Sequence, residues 1–250
     1  MLNKLIDCFK FFNELDLLEI RLNSLAPYVE RFVLSECPVT QTGLPKPMYF
    51  AENRERFKDF NITHLVANDY EKYRDENAWI MEHYQRENLM NGIQNVDPET
   101  MILISDLDEI PDLESYDGVT EGVFRQRLYY YHLNTYTRTS NWKGTVAICR
   151  KNITTLTNLR NRRWKMNSIA RGWHFSHLGS IEHIVNKITS CAHKEFNTPE
   201  VKERVPDNVK NLLDPYNRNT RKLSIGMPSG PKWLLDNKEK YEHLFYKESD

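Results

Sequence analysis

Through residue 105 the chain alternates apolar runs of strand length with longer amphipathic stretches. KLIDCFKF (4–11) reads as a strand. Leu15, Leu18, Leu22 and Leu25 then recur at helical spacing, with Asn13 as the expected N-cap and Pro27 as the stop. RFVLSE (31–36) is a strand that ends in Glu36. PVTQTGLPKPMYF (38–50) is a loop marked by Gly43, Pro45 and Pro47. ENRERFKDF (52–60) predicts a short charged helix and ITHLVA (62–67) another strand. DENAWIMEHYQRENLMNGI (75–93) predicts a helix with Trp79, His83, Arg86 and Met90 near one face, and MILIS (101–105) a buried strand. Such alternation predicts an α/β fold with a central, mostly parallel sheet flanked by helices. In open sheets of that kind, ligands sit beyond the carboxyl ends of the strands.

After residue 118 the pattern changes. GVFRQRLYYYHLNTY (122–136) and KGTVAICR (143–150) alternate and are rich in β formers, which predicts added strands of mixed direction. IARGWHFSHLGS (169–180) reads as a loop around a short strand, and SIEHIVNKITSCAHKEF (180–196) as a helix. Residues 199–250, rich in proline and asparagine, read as a C-terminal segment wrapped over a single domain that spans residues 1–250.

A chain of 250 residues can bury a full core without staples. Its net charge of −1 does not suggest a nucleic-acid partner. No run of 18 apolar residues predicts a transmembrane segment. The N-terminus is broken by charge and lacks the pattern of a signal peptide. Cys8, Cys37, Cys149 and Cys191 are scattered and form no CxxC pair, so no cysteine zinc site is expected and a reducing compartment is.

Candidate chemistry begins at MILISDLDEIPD (101–112), where a buried strand runs into Asp106, Asp108, Glu109 and Asp112. Carboxylates at i and i+2 after a strand can aim at one point, which suits Mg²⁺ or Mn²⁺ completed by substrate phosphates. A solvated loop is the plain alternative. Haloacid-dehalogenase-type phosphatases use D-x-D-x-[TV] after an early strand, but here Ile110 takes the T/V position and the strand comes late. Nothing else in the chain supports a two-metal nuclease. A third option is a nucleotide-sugar transferase, whose D-x-D holds a metal on the donor diphosphate.

Other residues join this reading. His174 and His177 in GWHFSHLG could complete a metal shell, with His193 following. Glu36, Thr40 and Gln41 could meet a base and ribose, and Lys46 a phosphate. Arg86, among apolar neighbours, needs an anionic partner such as a diphosphate or the acidic cluster.

FFNELDLLEIRLNSL (11–25), FVLSECPVTQTGLPKPMYF (32–50), ENRERF (52–57), ILISDLDEIP (102–111) and GWHFSHLG (172–179) resemble glycosyltransferase family 17 in order and spacing. This is the bisecting N-acetylglucosaminyltransferase-like family. The resemblance implies a GT-A-like fold and transfer of a sugar from a nucleotide donor to a glycan acceptor. In animal members the donor is UDP-N-acetylglucosamine and the metal Mn²⁺. On that pattern Asp106 and Asp108 are the D-x-D, and Glu36, Lys46 and Arg86 match motif positions.

Inversion at the anomeric carbon, also implied, requires a carboxylate that takes the acceptor proton. Glu109 is the expected base, ahead of Asp112, Glu182 and Glu195. Trp142, Trp173 and Tyr129, Tyr130 and Tyr131 could stack on acceptor sugars, although core packing is their commoner use. The membrane anchor and stem of animal members are not seen. The expected setting is therefore cytoplasmic, in a bacterium or virus, with a glycan other than the N-glycan. The rivals are another donor, such as UDP-glucose or UDP-galactose, a silent nucleotide-sugar or glycan-binding protein, and, more distantly, a metal-dependent phosphohydrolase that would release inorganic phosphate.

Overall fold

The structure, a computed structural model, describes residues 5–73, 77–139, 141–218 and 222–247. Asp75 and Glu76 of the predicted third helix lie outside the described residues. The elements in chain order are β1 (Leu5–Lys10), α1 (Leu15–Leu25), β2 (Val29–Glu36), α2 (Tyr49–Glu52), β3 (Ile62–Val66) and α3 (Ala78–Glu87). β4 (Met101–Asp106), β5 (Glu109–Pro111), β6 (Gly122–Tyr130), β7 (Thr135–Tyr136), β8 (Trp142–Cys149) and α4 (Leu156–Arg162) follow. β9 (Ser168–Ser176), α5 (Ile181–Ser190), α6 (Pro199–Lys210), β10 (Ser224–Ile225) and α7 (Lys232–Asp236) complete the chain.

The sheet runs β10-β7-β6-β8-β4-β1-β2-β3, with β9 beside β6 and β5 beside β9. The block β4-β1-β2-β3 is parallel throughout. β8 is antiparallel to both β4 and β6, and β9 is parallel to β6, so the second half is mixed, as its alternating pattern predicts. Both faces of the parallel block are covered, which is why its strands read as unbroken apolar runs. Alternate residues go to opposite sides: Phe9 and Leu103 pack with Leu17 of α1, while Ile6 and Ile102 pack with Leu156 and Leu159 of α4.

One rim of this sheet collects the chemistry. Lys10 pairs in register with Asp106 at the ends of β1 and β4. Trp142 begins the antiparallel β8 and therefore reaches the same rim. Tyr130 and Ser176 are register partners at the ends of β6 and β9. The chain builds β1, β2 and β3 outward and then returns to place β4 on the other side of β1, which puts the switch point between β1 and β4.

Several local expectations are corrected. The N-cap of α1 is Glu14, and the Asn13 N–H instead donates to the Glu14 carboxylate at 3.2 Å. The predicted charged helix at 52–60 is split between α2 and a 3₁₀ turn at Arg54–Phe57. Residues 168–176 form a nine-residue strand rather than a loop around a short one. Gly172 is there for closeness: a Cβ would lie 2.5 Å from the Ile110 carbonyl oxygen on the neighbouring β5. The C-terminal segment includes the helix α6, started by a Thr198 side chain that accepts from the Val201 N–H, with Pro199 in its first turn. α6 packs on α5, and α7 on α1.

Candidate functional site

A pocket of about 720 Å³ opens on the rim at the β1/β4 switch point and extends toward β8, β6 and α5. Its wall includes Lys10, Phe11 and Phe12 from β1 and the turn after it, Thr40 and Lys46 from the loop after β2, and Glu82 and Arg86 from α3. Asp106, Asp108, His174, His177 and Lys187 also line it.

Asp106 stands among three cations. Lys10 Nζ and Arg86 Nη2 lie 3.2 Å from its Oδ1, and Arg160 Nη2 lies 3.0 Å from its Oδ2. Its side chain remains about one-third exposed, at 34%. Desolvation alone would raise this carboxyl, but Lys10, Arg160 and Arg86 outweigh it and hold Asp106 well below the usual carboxylate range. Glu82 on α3 shares Lys10 and Arg86, closing a charged ring between β1, α3, β4 and α4.

Asp108 belongs to a second ion pair. Lys187 of α5 lies 2.9 Å from its Oδ2 and also bonds Glu14 at 3.0 Å. His174 Nε2 lies 3.5 Å from Asp108 Oδ1. Against burial, Lys187 and then His174 keep Asp108 far down in pKa, so both aspartates are ionised at neutral pH. His177 turns elsewhere: its Nε2 meets the Tyr216 hydroxyl at 2.8 Å. The four expected metal residues thus do not converge. Among the described residues, no three His, Cys, Asp or Glu side chains form a ligand cluster.

Glu109, expected as the proton acceptor, faces inward. It is fully buried, its Oε1 accepts from Trp142 Nε1 (2.7 Å) and Arg160 Nη2 (2.9 Å), and its Oε2 accepts from the Asp106 N–H (3.0 Å). With both oxygens engaged, it braces the Asp106 turn and has no opening to a substrate. Glu36 is likewise turned away from a ligand. It is fully buried at the start of α2, accepting from the Phe50 N–H at 2.9 Å and the Ala51 N–H at 3.3 Å. That is an anion at a helix N-terminus, a structural use. Asp112 is half-buried and Glu182 and Glu195 are exposed, and none of the three is in the pocket wall.

Of the aromatic candidates, Tyr130 and Trp142 line the pocket. Trp173, Tyr129 and Tyr131 are buried in the core, with the Tyr129 and Tyr131 hydroxyls donating to the carbonyls of Ser229 and Leu213.

The turn that carries both aspartates is gripped from below by Arg21 of α1. This guanidinium is fully buried and forms a fork on Asp7, from Nε at 2.8 Å and Nη2 at 2.7 Å. Nη1 donates to the carbonyls of Asp106 (3.3 Å), Leu107 (3.1 Å) and Glu109 (2.8 Å), and Nη2 also to Ser105 Oγ (2.5 Å). Arg21, Lys10, Glu82, Arg160 and Lys187 were not anticipated from sequence. Each sits on a different element from the acidic motif, and no local spacing marks them.

His177 supplies a pH test of the site. Burial, and then Lys187, push its imidazole down to about 3, so it is neutral in the folded state. Between about pH 6.5 and that value the unfolded chain binds a proton that the native state refuses, so stability must fall as pH falls through this window. The slope from this one group is at most about 1.4 kcal/mol per pH unit. Urea unfolding at about pH 7 and about pH 5 should show a smaller acid loss for His177→Gln than for the parent, by about 1–2 kcal/mol. Equal losses would mean that the imidazole is not held neutral.

The profile of glycosyltransferase family 17 matches residues 1–247. The beta-1,4-mannosyl-glycoprotein 4-beta-N-acetylglucosaminyltransferases of Rattus norvegicus and Homo sapiens are each 27% identical over 132 residues. Those alignments cover 47% of this chain and 24% and 25% of the relatives, so the chain spans about a quarter of their length. The relatives are mammalian and give no support to the expected bacterial or viral origin. Among the described residues, no helix is long and apolar enough to cross a membrane.

Two solved structures overlap weakly. One is an inositol-1-phosphate CTP transferase from T. maritima, with TM-score 0.39, 12% identity, and coverage of 85% of this chain and 98% of that one. The other is an active-site mutant of LgtC, with TM-score 0.31, 15% identity, and coverage of 65% and 61%. Both scores are too low to carry an argument. The profile match extends over nearly the whole chain and includes the turn of Asp106 and Asp108, and on that ground the chain belongs to glycosyltransferase family 17.

Proposed function

We propose that this chain is a metal-dependent, inverting glycosyltransferase with a GT-A-like site. It would move a sugar, N-acetylglucosamine as the first candidate, from a UDP donor to a glycan hydroxyl. The observation that carries this reading is the pairing of two ionised aspartates with a cationic pocket at the β1/β4 switch point. The N-acetylglucosaminyltransferase relatives favour the choice of sugar.

The donor set suits a hard cation. Asp106 and Asp108 would hold Mn²⁺ or Mg²⁺, with the remaining oxygens supplied by phosphates and water. Such an ion, when bound, supplies Lewis-acid stabilisation of the departing diphosphate. Lys10, Arg86 and Arg160 stand around the same point and offer fixed positive charge to the leaving group. Thr40 and Lys46 line the donor side of the pocket, where a base, ribose or phosphate would meet them.

Inversion needs a carboxylate for the acceptor proton. Four carboxylates line the pocket: Glu14, Glu82, Asp106 and Asp108. Glu82 is tied to Lys10 and Arg86, and Asp106 to three cations. Asp108 would hold the ion and is kept ionised by Lys187 and His174, which leaves Glu14, paired with Lys187, as the candidate to receive the proton.

Donor hydrolysis without acceptor tests this. UDP-N-acetylglucosamine, UDP-glucose and UDP-galactose, each with Mn²⁺ or with EDTA, should yield slow UDP release from one donor in the Mn²⁺ arm alone. Binding by calorimetry without release would make the protein a silent nucleotide-sugar binder. Neither binding nor release would remove the reading.

A further inference from the structure

From Gly122 to Ile181 the chain contains eleven Lys or Arg residues and no Asp or Glu, although its overall net charge is −1. The stretch builds β6, β7, β8, α4 and β9. Register brings part of this charge together: Arg125 of β6 pairs with Lys143 of β8 on one side and with Arg171 of β9 on the other. Register partners share a face of the sheet, and neighbouring strands are about 4.8 Å apart. Three like charges thus form a cross-strand row, with Arg125 and Arg171 exposed. None of the three has a carboxylate partner among the described residues. Like charges placed directly opposite are destabilising, and an anion from outside the chain would relieve that cost.

The row continues into the pocket mouth. Lys143 Nζ donates to the carbonyls of Trp164 (3.0 Å) and Met166 (2.6 Å), and Arg163 Nε donates to the Lys143 carbonyl (2.8 Å). Arg163 lines the pocket. The other lining lysines and arginines all pair with acids, whereas Arg163 is held by carbonyls and by the rings of Trp142 and Trp164 at 5.6 and 4.6 Å. Burial, and then the neighbouring Arg160, push its guanidinium down to about 10, against the pull of Glu109 and Asp106. Trp164 is 48% exposed and offers a flat apolar surface beside it.

We propose that Lys143, Arg125 and Arg171, with Arg163 and Trp164 at the mouth, bind an acidic glycan whose end is the acceptor. The proposal rests on the transferase reading above. The donor belongs at the β1/β4 switch point, and the strip crosses β8, β6 and β9 on the other side of β4. The repeating carboxylates or phosphates of a glycan chain match a row of cations at strand spacing. The exposed tryptophan suits a sugar face. A membrane surface would call for more apolar anchors than one tryptophan.

The test uses a polyuronate hexasaccharide and neutral maltohexaose, titrated against tryptophan fluorescence. The acidic probe should bind at least about tenfold tighter than the neutral one and weaken as salt rises. R125Q/R171Q should lose at least about tenfold in polyuronate affinity, and R163Q should lose more for polyuronate than for UDP. Because the two exposed arginines repel each other, R125Q/R171Q should melt at or above the parent temperature, which separates lost binding from lost folding.

Equal binding of the two hexasaccharides, no polyuronate binding, or full binding by R125Q/R171Q would each overturn the proposal. An equal loss of UDP in R163Q would move Arg163 to the donor site and overturn the mouth assignment. Co-sedimentation with phosphatidylserine vesicles that polyuronate cannot displace would assign the strip to a membrane instead. Donor hydrolysis by the parent protein reports separately on the transferase reading. Hydrolysis without polyuronate binding removes only the strip, and polyuronate binding without donor binding removes only the transferase reading.

Discussion

Asp106→Asn should, on the proposed function, reduce sugar transfer by about 10³-fold or more, because it removes one of the two carboxylates proposed to hold the divalent ion and leaves the cation ring without its centre. The fold should survive. Asp106 is partly exposed, and Glu82 and Glu109 still neutralise Lys10, Arg86 and Arg160. The check is UDP release with saturating Mn²⁺, alongside a thermal melt of the same sample. A folded variant with near-parental turnover would refute the assignment of Asp106 to the donor diphosphate and its ion.

Arg21→Met should cost about 3–5 kcal/mol, the largest stability loss expected of any single change here. It leaves Asp7 charged, fully buried and without its fork, and it strips three carbonyls of the aspartate turn of their donor. Asp7→Asn in the same chain should recover part of the loss, since the stranded charge is then gone. Urea unfolding of both single variants and the double variant measures that coupling. Arg21→Lys tests geometry separately: an ammonium keeps the charge but cannot reproduce the planar fork. A loss below about 1 kcal/mol in Arg21→Met would show that the clamp is not what holds the turn.

The segment NELDLLEIRLNSL illustrates how far a pattern can be read. Its apolar spacing is sufficient to predict α1, because burial of one helix face depends only on local periodicity. That Arg21 points from this helix into the carbonyls of residues 106–109 is invisible in the segment, because the partners lie some 85 residues away. The same applies to Glu36 and Glu109. Both are carboxylates at the end or edge of a strand, which in sequence resembles a substrate-facing acid. The backbone of α2 claims one, and Trp142 and Arg160 claim the other. GWHFSHLG belongs in part to a longer strand than its pattern suggests, for a related reason. Its glycines read as loop markers, yet Gly172 serves a close strand contact.

By itself the sequence determined the alternation of strands and helices, the parallel first half, the change to mixed strands after residue 118, and the placing of Asp106 and Asp108 at a strand end. Those features follow from local periodicity and from the chemistry of a motif a few residues long. Only the tertiary structure decided which carboxylates face the pocket and which brace it. It also decided which cations neutralise Asp106 and Asp108, and that Lys143, Arg125 and Arg171 stand in a row. Burial and counter-charge are set by partners from distant elements, and those partners meet only when the sheet is assembled.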